Sequence, residues 1–160
     1  GLNPDTKNSS SNLGDFTIVS VDGAEGWAWD ATYGMKISGY VATNKANEDW
    51  LISPAMNFTE RLKPTLKFDH TGKYFGTMAN EATLWVSTNY SEGMPSTATW
   101  TQITIPTYMT NNDYTYVTPE IDLSAYAGVN GVRIAFKYIS STTAAGTWEV
   151  KNVHVFEKEE

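Results

Sequence analysis

Residues 132–138 read V-R-I-A-F-K-Y. Val132, Ile134, Phe136 and Tyr138 share one parity, and Arg133, Ala135 and Lys137 share the other. A strand sends alternate side chains to opposite faces, so this run gives one apolar face and one face with two cations. It predicts a strand that covers a core with one side and meets water with the other. A helix would scatter the same residues around its circumference.

Weaker copies of the pattern recur along the chain. Phe16 and Ile18 alternate with Thr17 and Val19, and Met35 and Ile37 with Lys36 and Ser38. Leu66 and Phe68 alternate with Lys67 and Asp69, Ala82, Leu84 and Val86 with Thr83, Trp85 and Ser87, and Ile103 and Ile105 with Gln102 and Thr104. Turn-forming pairs separate these runs: Asp22-Gly23, Glu25-Gly26, Thr71-Gly72, Glu92-Gly93, Asn130-Gly131 and Ala145-Gly146. No window carries a sustained helical stripe, although Leu123–Tyr126 after Asp122 can form one turn. Short strands divided by polar turns define an all-β sandwich or barrel. We read residues 1–14, polar and aperiodic, as a flexible N-terminal linker, and residues 15–160 as a single β-sandwich domain.

The stretch E-D-W-L-I-S-P at residues 48–54 sets carboxylates against the apolar Trp50, Leu51 and Ile52 and then stops at a proline. Pro54 lacks a ladder donor, so pairing is expected to end there or the strand to lie at an edge. Glu48 and Asp49 are then expected at the hydrated rim of the sandwich.

Composition narrows function. Eighteen acids against eleven scattered bases give a net charge of −7, which argues against a phosphate-backbone partner and therefore against nucleic acid. No run of 18 apolar residues is present, so no membrane insertion by this segment is expected. The chain has no cysteine, hence neither disulfide nor thiolate metal site. Its two histidines, His70 and His154, stand near no nucleophile motif, and neither a G-x-S-x-G elbow nor a phosphate-binding glycine loop occurs. We expect a non-enzyme.

Several residues can carry binding chemistry. Asp22, Glu25 and Asp30 lie in one acidic turn region, and Asp49 and Asn152 can join them if a bulge near Lys151-Asn152 reconciles the parities of Trp148/Val150 and Val153/Val155. Carboxylate and amide oxygens suit calcium, which takes six to eight oxygens. The same residues equally describe a solvated acidic loop. Among aromatics, Trp27 and Trp29 flank Ala28 and face one way on a strand, where they could hold adjacent sugars or fill a core, and Trp148 beside Val150 suits a core. Trp85 sits opposite Leu84 and Val86, as an exposed platform or a contact beneath a loop. Tyr74, Tyr90, Tyr108, Tyr114 and Tyr116 fall in loops beside amides and carboxylates. A sugar site needs flat rings and nearby hydrogen-bonding groups, though tyrosine is also common in ordinary β turns.

Asn47-Glu48-Asp49-Trp50-Leu51-Ile52-Ser53-Pro54-Ala55-Met56 resembles the D-W-L-I-S-P-A-I-D-L signature of the cleaved-adhesin and choice-of-anchor J domains of Bacteroidetes surface proteins, among them the adhesin modules of gingipains. Leu84-Trp85-Val86-Ser87-Thr88 is similar to that family's central strand, and Ile121-Asp122-Leu123-Ser124-Ala125-Tyr126-Ala127-Gly128 to its later I-D-L-S-A-Y-A-G segment. The resemblance implies a jelly-roll, galactose-binding-like β-sandwich of two antiparallel sheets, exported to an extracellular or outer-membrane surface as part of a larger protein. It implies adhesion or carbohydrate binding, with a glycan or an extracellular protein as ligand, and often a structural calcium ion. Where the family's last strand has Asp-Asp-Val, this chain has Lys151-Asn152-Val153. The alternative functions are a structural spacer in a larger surface lipoprotein, with no ligand of its own, and a hydrolase accessory or degenerate enzyme.

Overall fold

The computed structural model describes residues 15–109 and 113–159; the linker expected at 1–14 lies outside them. The chain forms β1 (Thr17–Asp22), β2 (Ala28–Asp30), β3 (Gly34–Ser38), β4 (Asn47–Ile52), β5 (Met56–Asn57), β6 (Pro64–Lys73), a short α1 (Met78–Glu81), β7 (Ala82–Ser87), β8 (Thr101–Ile103), β9 (Glu120–Asp122), β10 (Asn130–Ser140) and β11 (Thr147–Glu157). They build two antiparallel sheets. One has the order β1-β4-β10-β7-β8, with β5 added against β10; the other has the order β2-β3-β11-β6-β9. This is the all-β sandwich expected from the alternation, with the jelly-roll form that the resemblance implied. No helix of the described residues is long and apolar enough to cross a membrane.

The four apolar residues of the opening run point into the sandwich, all at 0 % exposure. Phe136 of the first sheet meets Phe68 (5.0 Å between ring centroids) and Trp148 (5.9 Å) of the second, and Trp148 meets Trp27 at 5.5 Å. Edge-on and tilted rings at these spacings are attractive beyond the area they bury. Trp27 and Trp148 are core, and Trp29 packs half-buried against it. Tyr138 ties the two layers together. Its hydroxyl donates to the Gly146 carbonyl at 2.6 Å and accepts from the Gly39 N–H at 2.8 Å.

The opposite face of β10 departs from expectation. Water does not bathe it. Trp50, Ile52, Tyr90 and Ala135 form a second buried cluster, with Trp85 and Trp100 packed against it beneath the 88–100 loop. Lys137 lies 5.3 Å over both Trp50 and Trp85, and Arg133 5.5 Å over Tyr90. The cations lay their stems and charge on rings; Arg133 also donates from Nη1 to Ser53 O at 3.1 Å, while its Nε is buried without a partner among the described residues.

A second correction concerns residues 48–54. β4 is not an edge: it lies between β1 and β10. Pairing with β10 continues past Pro54 as β5. Ser53 bridges the interruption. Its N–H donates to Ile134 O at 2.9 Å, and its hydroxyl oxygen accepts from Ile134 N at 3.0 Å. Asp49 is buried at 0 % exposure rather than hydrated, while Glu48 stays half-exposed and accepts from Trp50 Nε1 at 2.8 Å. The short apolar run is therefore buried on both faces, Leu51 inward and Trp50 and Ile52 under the loop.

The expected bulge is present. The β11–β6 register shifts between Lys151 and His154, and Asn152 adopts φ +53 there. Asn tolerates this left-handed geometry better than most residues.

Candidate functional site

The second sheet presents its outer face through the alternate residues of β3 and β11: Lys36 and Ser38, Thr147, Glu149 and Lys151. Lys36 pairs with Glu149, and Ser38 with Thr147. Residues 115–118 run beside β6, held by reciprocal bonds between Val117 and His70 at 2.9 and 3.0 Å. With Val117 fixed there, Tyr116 lies over the sheet. Its hydroxyl stands 3.1 Å from Glu149 Oε1 and 3.3 Å from the Tyr33 carbonyl, so one proton is shared between two acceptors.

Tyr33, Tyr114 and Tyr116 thus wall a cavity of about 250 Å³ with Lys36 and Glu149. Burial beneath Tyr116 leaves Glu149 only 3 % exposed. That burial pushes its carboxyl up, against the Tyr116 hydroxyl and Lys36, which hold it down. Lys36 Nζ lies 3.8 Å from Glu149 Oε2. Each ring carries an ammonium: Lys36 over Tyr33 at 5.2 Å, Lys73 over Tyr114 at 5.8 Å and over Tyr74 at 5.0 Å, and Lys151 over Tyr116 at 4.1 Å. Tyr74 (61 %), Tyr33 (43 %) and Tyr114 (38 %) stay open to solvent.

The backbone beneath these rings is unusual. Tyr74 has φ +70 and Tyr114 φ +65, a region that bulky residues seldom enter. Such positions cost on the order of 1–3 kcal/mol and gather where a site needs a side chain aimed. Gly34, at φ +84, makes the β2–β3 turn behind Tyr33, and a Cβ there would stand 2.6 Å from Val150 O.

The six aromatics singled out from sequence therefore divide. Tyr74, Tyr114 and Tyr116 meet on this face. Trp85 and Tyr90 belong to the cluster under the 88–100 loop on the other sheet, where Trp85 is a contact beneath a loop and not a platform. Tyr108 turns toward the core, its hydroxyl donating to Ala82 O at 2.6 Å and its ring 5.3 Å from His70. Tyr33, Lys36, Lys73, Glu149 and Lys151 were not anticipated. The parity of Glu149 against the inward Trp148 and Val150 was the available signal.

The four proposed calcium ligands are also divided. Asn152 is on β11, its amide donating to Asp69 Oδ2 at 2.7 Å. Asp22, Glu25 and Asp49 gather at the β1–β4 end of the other sheet. There Asn47 links to Glu25 at 3.2 and 3.3 Å, and Ser20 donates to Asp49 Oδ1 at 2.7 Å. Asp49 Oδ2 is buried with no partner. Burial pushes the Asp49 carboxyl up to about 6, opposed by Ser20 and reinforced by Glu25, Glu48 and Asp22. That orphaned oxygen would suit a cation, and calcium also draws on backbone and amide oxygens, although among the described residues no group of three acidic or histidine side chains is placed to hold one.

The histidines are otherwise engaged. His70 is buried: Trp148 Nε1 donates to its Nδ1 at 3.1 Å, leaving Nε2 to donate to Thr107 O at 2.8 Å. Burial lowers it to about 4. His154 is exposed and stacks on Phe156 at 5.4 Å. A further depression, of about 480 Å³ beside β9, has no aromatic wall, and its Lys158 pairs with Glu120 at 2.7 Å.

No known family pattern matches the chain, and no curated protein does. Solved structures share its fold. The K2 cleaved adhesin domain of Lys-gingipain is 13 % identical, with a TM-score of 0.64 over 98 % of each chain. The family 11 carbohydrate-binding module of a Clostridium thermocellum cellulosomal cellulase is 16 % identical, with a TM-score of 0.55 over 99 % of this chain and 96 % of that one. The glycoside hydrolase domain of Endo-D from Streptococcus pneumoniae R6 is 14 % identical, with a TM-score of 0.54 over 92 % of this chain and 22 % of that one. At these identities the likeness establishes a fold shared by adhesin domains, sugar-binding modules and a part of a larger enzyme.

Proposed function

We propose that this chain is a non-catalytic, exported binding module of a larger surface protein, and that its ligand is a glycan held on the outer face of the second sheet. One observation carries the reading: Tyr33, Tyr114 and Tyr116 surround Glu149 with an ammonium on every ring. Rings offer sugar faces a flat apolar surface, and fixed donors and acceptors beside them meet hydroxyls. The adhesin and carbohydrate-binding neighbours of the fold support it.

Affinity electrophoresis through gels containing neutral plant and host glycans tests the proposal. Retardation of the wild type that disappears in Tyr33→Ala/Tyr114→Gly is expected. No retardation by any glycan would reject it in favour of a spacer. A second reading, adhesion to a protein, draws on Val21 (40 % exposed) and Met94 (48 %) beside Trp50 and Trp100. Capture of an extracellular matrix protein that is lost in Met94→Asp would favour it.

A further inference from the structure

The cavity walled by Tyr33, Tyr114 and Tyr116 does not end at Lys36. A second concavity of about 870 Å³ adjoins it, sharing Lys36 and lined in part by Tyr40, Tyr74 and Phe75. Sheet register explains the continuity. Lys36, Glu149 and Thr71 form one cross-strand row, and Ser38, Thr147 and Lys73 form the next on the same face. Two residues along a strand advance about 7 Å, so the rows make a single floor. Within the second row the Thr147 hydroxyl donates to Ser38 Oγ at 3.0 Å. Phe75 lies half-buried where Gly146 leaves room for it: a Cβ on that glycine would stand 2.4 Å from the ring.

Lys73 stands where the two walls meet. Its Nζ lies 5.0 Å from the centre of the Tyr74 ring and 5.8 Å from that of Tyr114, so both rings flank one ammonium. The Asp113 carboxyl, held low first by Thr115 and lastly by Lys73, is near enough to feel that charge. Tyr74 directly follows β6. Tyr114 belongs to the 113–118 segment, which Thr71 Oγ1 anchors by donating to Thr115 O at 3.0 Å. Lys73 therefore joins two loops that are distant in sequence. Tyr74 and Tyr114 are both exposed, and an exposed ring turns about its side-chain bonds unless a neighbour holds it. A cation over both rings fixes their spacing.

Resting on the glycan reading above, we infer that the two cavities are one cleft for a run of consecutive sugar units, and that Lys73 is the positioning residue that sets its ring wall. A cleft of this size takes more than one sugar unit. The ammonium acts on the ligand through the rings it holds. Lys73→Met keeps a long stem and loses that hold. Lys73→Arg keeps a cation that stacks on aromatic faces.

Calorimetric titration of the full chain with gluco-, xylo- and galacto-oligosaccharides, from disaccharide to hexasaccharide, tests this. For whichever series binds, the hexasaccharide is expected to bind at least about tenfold tighter than the disaccharide. Lys73→Met is expected to weaken hexasaccharide binding roughly three- to tenfold, and Lys73→Arg to stay within about twofold of wild type. Thermal melts check that both variants are folded. Equal affinity for disaccharide and hexasaccharide overturns the extended cleft. Full affinity in Lys73→Met, or an equal loss in Lys73→Met and Lys73→Arg, overturns the positioning role and leaves the glycan reading standing. No binding by any of the three series overturns this inference, and if the gels described above also show no retardation the glycan reading falls with it.

Discussion

The Tyr116 hydroxyl reaches Glu149 Oε1 at 3.1 Å from a segment on the far side of β6. It closes the floor of the candidate site and hides a carboxylate in the middle of an otherwise exposed sheet face. Glu149→Gln keeps an acceptor for that hydroxyl, removes a buried charge and leaves Lys36 without its partner. These effects oppose one another, so the midpoint of thermal unfolding should move by less than about 3 °C. Glu149→Ala also removes the acceptor, and its sugar affinity should fall about tenfold while the glutamine variant stays near wild type. Paired titrations of the two variants check this.

Tyr74 and Tyr114 hold left-handed backbone that glycine adopts without strain. Tyr74→Gly and Tyr114→Gly should leave stability unchanged or raise it by up to about 1 kcal/mol, because relief of strain offsets glycine's greater unfolded-state freedom. Both should weaken glycan binding. Denaturant unfolding beside binding assays separates the outcomes, and a loss of stability would show that these rings support the fold.

Two buried groups act on stability with opposite sign. Asp49 is raised in the folded state to about 6, so the folded chain holds more protons between pH 4 and 6, and stability falls as pH rises through that window. His70 is lowered to about 4, so the unfolded chain holds more protons between pH 4 and 6.5, and stability rises there. Each contribution is at most about 3 kcal/mol. Asp49→Asn should therefore steepen the loss of stability on acidification relative to wild type. His70→Gln should reverse that trend, so that acidification from pH 6 to 4 costs less. Melting curves across this range check both.

Tyr138 spends its hydroxyl on Gly146 O and Gly39 N. Tyr138→Phe leaves two buried backbone groups unpaired at a cost of about 1–3 kcal/mol. A drop of roughly 3–10 °C in the melting midpoint is expected.

Asn152, on Asp69 of the second sheet, stands apart from Asp22, Glu25 and Asp49, so no site drawing on all four is expected and a chelator should leave the melting midpoint unchanged. A decrease reversed by added calcium would contradict this.

Much of the sandwich was legible because period-2 burial is a local property. Val132 to Tyr138 announced a core face, and Asn152 a bulge. What the far side of a strand meets is not local. Arg133 and Lys137 looked solvated, yet they lie on rings brought by the 88–100 loop. Asp49 looked like a rim residue, because nothing near it in sequence shows β1 and β10 closing on both sides of β4. The site was half legible for the same reason. Tyr114 and Tyr116 stood out beside polar neighbours, whereas Tyr33 and Glu149 acquire meaning only when β3, β11 and the 115–118 segment meet.

The most direct measurement is an amide and side-chain NMR titration with a neutral hexasaccharide. Shifts confined to Lys36, Ser38, Thr147, Glu149 and the surrounding tyrosines are predicted, with the indole signals of Trp50, Trp85 and Trp100 unmoved. Shifts centred on those indoles, or on Asp49 and its acidic neighbours, would contradict the assignment of the binding face.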